Sequence, residues 1–151
     1  MIKLHSASRE ETVAIGEKLG KTIKKGDMIA FRGGLGAGKT AFTTGLAAGM
    51  GILSEVCSPT FAIVNEYRGE DMNLYHFDMY RIMGEEGLES TGFFDYDFEN
   101  NAAVIEWSEN ITEFLPKNTI WVTIEPVSEN ERDITIEGGV ADAPDGHRYF
   151  G

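Results

Sequence analysis

Gly33-Gly-Leu-Gly-Ala-Gly38-Lys39-Thr40 decides the fold of this chain, read together with the apolar run Met28-Ile-Ala-Phe31 before it and the uncharged segment to about Gly49 after it. The stretch is a complete G-x-x-x-x-G-K-[ST] pattern in the strand–turn–helix setting that gives it physical meaning. Glycines let the backbone curl with its N–H groups inward. The helix that follows adds the positive end of its dipole, so Gly33, Gly34, Leu35, Gly36, Ala37 and Gly38 form a cradle for a multiply charged anion. In such a loop Lys39 reaches the β- and γ-phosphates of a nucleotide, and the Thr40 hydroxyl ligates Mg2+.

Working outward, Met1 to Leu4 is a short apolar start, and Ser8 with Glu11 three residues on reads as a capping box. Ile15, Leu19 and Ile23 recur every fourth residue as a helical stripe, with Lys18, Lys21 and Lys25 on a solvated face. Beyond the loop helix, Phe61 to Tyr67 and Leu74 to Tyr80 read as two strands joined by the polar turn Arg68 to Asn73. In the second of them Leu74, His76, Asp78 and Tyr80 share one face, and Tyr75, Phe77 and Met79 the other. A short helix rich in glutamate (Glu85, Glu86, Glu89) and an aromatic patch (Phe93, Phe94, Tyr96) come next. Ala102 to Ile105 is a buried strand closed by Glu106, and Thr119 to Ile124 and Asp133 to Ile136 are late strands. Helices between buried strands predict a three-layer α/β/α nucleotide-hydrolase-like fold, its central sheet mainly parallel and made mixed by a hairpin. Residues 1–139 are expected to form one domain, and residues 140–151 a loosely held tail with little to bury.

Composition narrows the function. Of 151 residues, 13 are Lys or Arg against 25 Asp or Glu, giving a formal net charge of −12. That balance opposes a direct grip on nucleic acid or an anionic membrane, both of which need clustered cations. One cysteine, Cys57, allows no internal disulfide. The uncharged stretch Ala41 to Ser54 is too short and too glycine-rich to span a bilayer. With no signal peptide in view, a cytoplasmic protein is expected.

The loop also needs an acid to hold Mg2+ or its water, and two residues are candidates. Glu106 closes a buried strand, where a carboxylate is costly unless it is hydrogen-bonded, solvated or facing a metal. Asp78 shares a strand face with His76; the alternative for Asp78 is a structural pairing with Arg81 or a backbone amide. His76 alone reads as a satisfied structural histidine. Ser58-Pro59-Thr60 falls where nucleotide switch proteins place a hydroxyl that senses the γ-phosphate, and an ordinary proline turn is the alternative. No N-K-x-D segment is present to select guanine, and the arginines do not cluster as a phosphate-closing lid would.

Leu35-Gly-Ala-Gly-Lys-Thr40, Ser58-Pro-Thr-Phe61, His76-Phe-Asp-Met-Tyr-Arg81 and Glu106-Trp107, in that order, resemble the TsaE (YjeE) ATPases of bacterial tRNA threonylcarbamoyladenosine synthesis. Gly92-Phe-Phe-Asp-Tyr96 and Leu115-Pro116 also match, and the resemblance runs from the first helix to about Gly138. Gly34 departs from it, because the family commonly carries Asp there. The resemblance implies an ATPase, with ATP and Mg2+ as cofactors, that binds a heterodimer of TsaB and TsaD and resets it by hydrolysis. It implies that Thr40 and Glu106 hold Mg2+, that Asp78 lies near the metal or its water, and that Thr60 senses the γ-phosphate. It further implies that Trp107 flanks the site and that Ser8, Arg9 and Arg132 lie by the nucleotide. Contact with tRNA would come through the partners. A small-molecule kinase on the same loop, or a non-catalytic nucleotide-gated adaptor, are the other readings.

Overall fold

The computed structural model describes residues 1–33, 38–56 and 64–151. Its strands are β1 (Ile2–Ser6), β2 (Met28–Arg32), β3 (Val64–Tyr67), β4 (Leu74–Asp78), β5 (Ala102–Glu106), β6 (Ile120–Pro126) and β7 (Arg132–Glu137). They form one sheet in the order β1-β7-β6-β2-β5-β4-β3. The strands β6, β2, β5 and β4 pair in parallel, while β7 and β3 run against their neighbours. The sheet is therefore mixed and mostly parallel. The β3–β4 hairpin accounts for one reversal, as the turn at Arg68 to Asn73 predicts. The second reversal, β6 to β7 across a short polar connection, is not marked in the sequence by any turn dipeptide.

Helices α1 (Arg9–Gly20) and α2 (Lys39–Gly49) cover one face of the sheet, over Ile29, Phe31, Val104, Val122 and Ile124. The other face carries Tyr75, Phe77, Ala103 and Ile105 and is covered by α3 (Gly84–Ser90) with Phe93, Tyr96 and Phe98. β2 and β5 are covered on both faces. That is why they read as unbroken apolar runs instead of alternating ones.

At the start of α1 the Ser8 side chain accepts from the Glu11 N–H at 3.1 Å. The Glu11 carboxylate in turn accepts from the N–H of Ala7, at 2.6 Å. Ser8→Ala is expected to cost about 1 kcal/mol, read as a lower urea midpoint; an unshifted midpoint would show that the cap contributes nothing. The stripe of Ile15, Leu19 and Ile23 is buried as predicted, but the helix stops at Gly20, so Ile23 reaches the core from the turn that follows.

Helices α1 and α2 touch backbone to backbone. A Cβ at Gly45 would lie 1.9 Å from the Val13 carbonyl oxygen, and one at Gly16 would lie 2.2 Å from that of Phe42. Gly20 and Gly49 repeat the arrangement one turn on, against the carbonyls of Leu46 and Glu17. The contact holds the loop helix α2 against the helix that begins at Ser8.

The C-terminal segment buries more than its sequence suggests. Two 3₁₀ turns, Gly139–Asp142 and Gly146–Tyr149, fold it back on the α1 side, with Ala141 and Phe150 in the core. Lys18 Nζ donates to the Phe150 carbonyl at 3.2 Å, and the N-terminal ammonium donates to Ala141 and Asp142. Small and widely spaced apolar residues hide this packing from a reading by periodicity.

Candidate nucleotide site

The C-terminal ends of the parallel strands β2, β4 and β5 and the first turn of α2 converge, which is where open α/β sheets bind ligands. Gly34, Leu35, Gly36 and Ala37 lie outside the described residues, as do Ser58, Pro59 and Thr60. Both ends of the loop are described. Gly33 has φ 120°, and a Cβ there would sit 2.8 Å from the Ile124 carbonyl oxygen. Gly38, with φ 96°, caps α2 without any side chain. Only glycine takes this left-handed backbone without strain, and it places no side chain of its own over the α2 amide end.

Lys39 is the first residue of α2 and is only 6% exposed. Its ammonium lies 5.0 Å from the ring centroid of Trp107, a cation–π contact. Trp107 adopts φ 58°, the left-handed turn that ends β5, and its ring also packs on Tyr80 with centroids 4.9 Å apart. Ser108 pins the same turn to β2 by donating to the Phe31 carbonyl at 2.6 Å. Thr40 follows Lys39 on the exposed side of the helix.

Glu106 and Asp78 are direct partners in the parallel register of β5 and β4, so the two candidate acids sit side by side at the strand ends. Asp78 is half-buried, and its Oδ1 accepts from the Tyr80 N–H at 3.0 Å, which is the backbone-amide alternative and not the Arg81 pairing. The Glu106 side chain is 10% exposed, and its Oε2 lies 2.7 Å from His76 Nε2. His76 Nδ1 is 3.1 Å from the Tyr67 hydroxyl. The histidine is thus a satisfied one, as expected, but what satisfies it is the candidate acid. Nothing in the sequence marks Tyr67 for this contact beyond its place at the end of a strand.

Arg132 opens β7 opposite Ser6 of β1. Its Nη1 donates to the carbonyls of Ser128, Glu129 and Glu131, while its buried Nε has no partner among the described residues. That Nε lies 3.9 Å, and Thr12 Cγ2 3.8 Å, from the point where a Cβ of Gly38 would stand. Ser6 bonds both Thr12 Oγ1 and the Ser8 carbonyl, tying the start of α1, with Ser8 and Arg9, to this corner. A nucleotide fits these residues: the described ends of the loop are glycines, the lysine is buried at the helix start, and beside it stands a buried guanidinium nitrogen with no partner among the described residues. Among the described residues no group of three or more His, Cys, Asp or Glu side chains is assembled to hold a metal by itself. This donor set suits Mg2+, which keeps waters and phosphate oxygens and takes only one or two carboxylates.

The model of the family described as threonylcarbamoyl adenosine biosynthesis protein TsaE matches residues 6–134. The tRNA threonylcarbamoyladenosine biosynthesis protein TsaE of Bacillus subtilis is 39% identical over 135 residues, 89% of this chain and 84% of that protein. Its counterpart in Treponema pallidum is 34% identical over 131 residues, 87% and 96% of the two chains. Among solved structures, that of Bacillus subtilis YdiB superposes with a TM-score of 0.70 at 33% identity, covering 89% of this chain and 83% of that one.

Proposed function

Because this chain belongs to the TsaE family of threonylcarbamoyladenosine biosynthesis proteins, we propose that it is a Mg2+-dependent ATPase that cycles a TsaB–TsaD complex through ATP binding and hydrolysis. The observation that carries this reading is the buried Lys39 at the start of α2, beside a strand end that presents Glu106 and Asp78. In it, the amides from Gly33 to Thr40 hold the triphosphate and Lys39 shares its charge. Thr40, Glu106 and Asp78 hold Mg2+ or its waters. The ion, when bound, neutralises phosphate charge. Thr60 answers to the γ-phosphate, Trp107 flanks the site, and Ser8, Arg9 and Arg132 border the nucleotide.

A net charge of −12 leaves tRNA contact to the partners. In this reading the chain acts in the cytoplasm; among the described residues no helix is long and apolar enough to cross a membrane. Turnover by the isolated chain is slow in this reading, since an arginine supplied by a partner adds about 10³ to 10⁵ in rate to nucleotide switches.

The test is calorimetry with Lys39→Ala. Two charge-assisted hydrogen bonds at about 1.5 kcal/mol each amount to an affinity loss of about 100-fold. Unchanged ATP uptake in that variant would overturn the site. Phosphate release measured with and without TsaB and TsaD then separates an ATPase from an adaptor that binds without turnover. Stoichiometric transfer to a metabolite would instead support a kinase.

A further inference from the structure

We propose that Tyr67 and His76 form a buried positioning pair that clamps Glu106 Oε2 and leaves Oε1 for the metal or its water, an inference that rests on the reading of Glu106 as an acid of the Mg2+ site. His76 has no exposure, and Tyr67 is 5% exposed. Both occupy the sheet face covered by α2: Tyr67, Leu74 and Val104 belong to that core, and His76 pairs with Val104 two residues before Glu106. The neighbours of His76 in the strand, Tyr75 and Phe77, point into the opposite core.

An imidazole at such a position is costly unless both nitrogens are bonded, and an aliphatic residue would fill the space without that cost. Here both are bonded, at 2.7 Å to Glu106 and 3.1 Å to Tyr67. A neutral imidazole has one donor and one acceptor. With the Tyr67 hydroxyl donating to Nδ1, the proton stands on Nε2 and is donated to the carboxylate. The chain of bonds runs one way and ends on the acid, so it sets the rotation of that carboxylate and occupies one lone pair of Oε2, leaving both of Oε1. Groups that orient the ligands of a metal site in this manner are worth about 10- to 100-fold in metal affinity or activity.

The experiment measures ADP affinity by calorimetry with Mg2+ and with EDTA, alongside thermal unfolding, for the parent, His76→Leu, His76→Gln and Tyr67→Phe. In EDTA all four are expected to bind alike. With Mg2+ the gain in affinity falls by about 10- to 100-fold in His76→Leu and less in Tyr67→Phe. Part of the gain returns in His76→Gln, whose amide nitrogen can donate to Oε2. A folded His76→Leu that keeps the whole Mg2+ gain, or that loses equal affinity in EDTA, overturns the clamp while leaving the nucleotide site intact. A parent that binds ADP with no gain from Mg2+ overturns the metal reading and the clamp together. Should His76→Leu fail to fold, Tyr67→Phe decides, and an undiminished gain in it is the overturning result.

Discussion

Glu106→Gln is expected to bind ATP in EDTA within about threefold of the parent, to lose at least as much of the Mg2+ gain as His76→Leu, and to lose turnover by about 10²- to 10⁴-fold, the range for removing a positioned acid or base. The amide is isosteric and can still meet His76, so packing at the end of β5 is kept. What is lost is the negative charge at a site that is 10% exposed, beside Asp78 in the strand register. Metal-free binding survives because, in the proposed site, the phosphates are held by main-chain amides and Lys39, neither of which depends on Glu106. Single-turnover phosphate release with TsaB and TsaD present, paired with affinity measurements in EDTA and in Mg2+, reads each part. Full turnover in this variant would remove Glu106 from the mechanism and leave Asp78 as the acid.

Gly45→Ala is expected to be the most damaging conservative change in the fold, costing about 3 kcal/mol or more. The added Cβ would stand 1.9 Å from the Val13 carbonyl oxygen and 2.8 Å from the Glu17 nitrogen. Those are backbone atoms of a packed helix, and no side-chain rotation relieves them. The two helices must part, which opens the core under Phe42 and Leu46 and shifts the start of α2 where Lys39 sits. At about 2–4 °C per kcal/mol for a domain of this size, the melting temperature should drop by roughly 6–12 °C. Gly87→Ala is the contrast: its Cβ would meet only Ile82 Cγ2 at 3.5 Å, in the short helix α3, so no loss is expected. A Gly45→Ala protein that melts with the parent would mean that the helices do not meet as closely as described.

The order of elements was legible almost throughout, because burial on both faces writes Met28 to Phe31 and Ala102 to Ile105 as continuous apolar runs. Helix α1 announces its start through Ser8 and Glu11, but the stripe does not mark its end, since Ile23 continues the spacing and serves the core from outside the helix. Leu74 to Tyr80 was read as two residues too long for a similar reason: the alternation continues into the turn where Asp78 accepts from Tyr80. The interlocked glycines of α1 and α2 and the buried Phe150 carried no readable signal, because their meaning lies in a neighbour far along the chain.

The loop glycines, Lys39, Thr40 and the capping pair are interactions spanning a few residues, and such interactions are complete within a short window of sequence. That window therefore determined the left-handed glycines at the two described ends of the loop, the strand before it and the helix after it. The tertiary structure alone decided that Tyr67, His76 and Glu106 share one chain of hydrogen bonds, and that Arg132 stands beside Gly38. Those meetings depend on strand order and register, where a slip of a single residue would turn each side chain to the opposite face of the sheet.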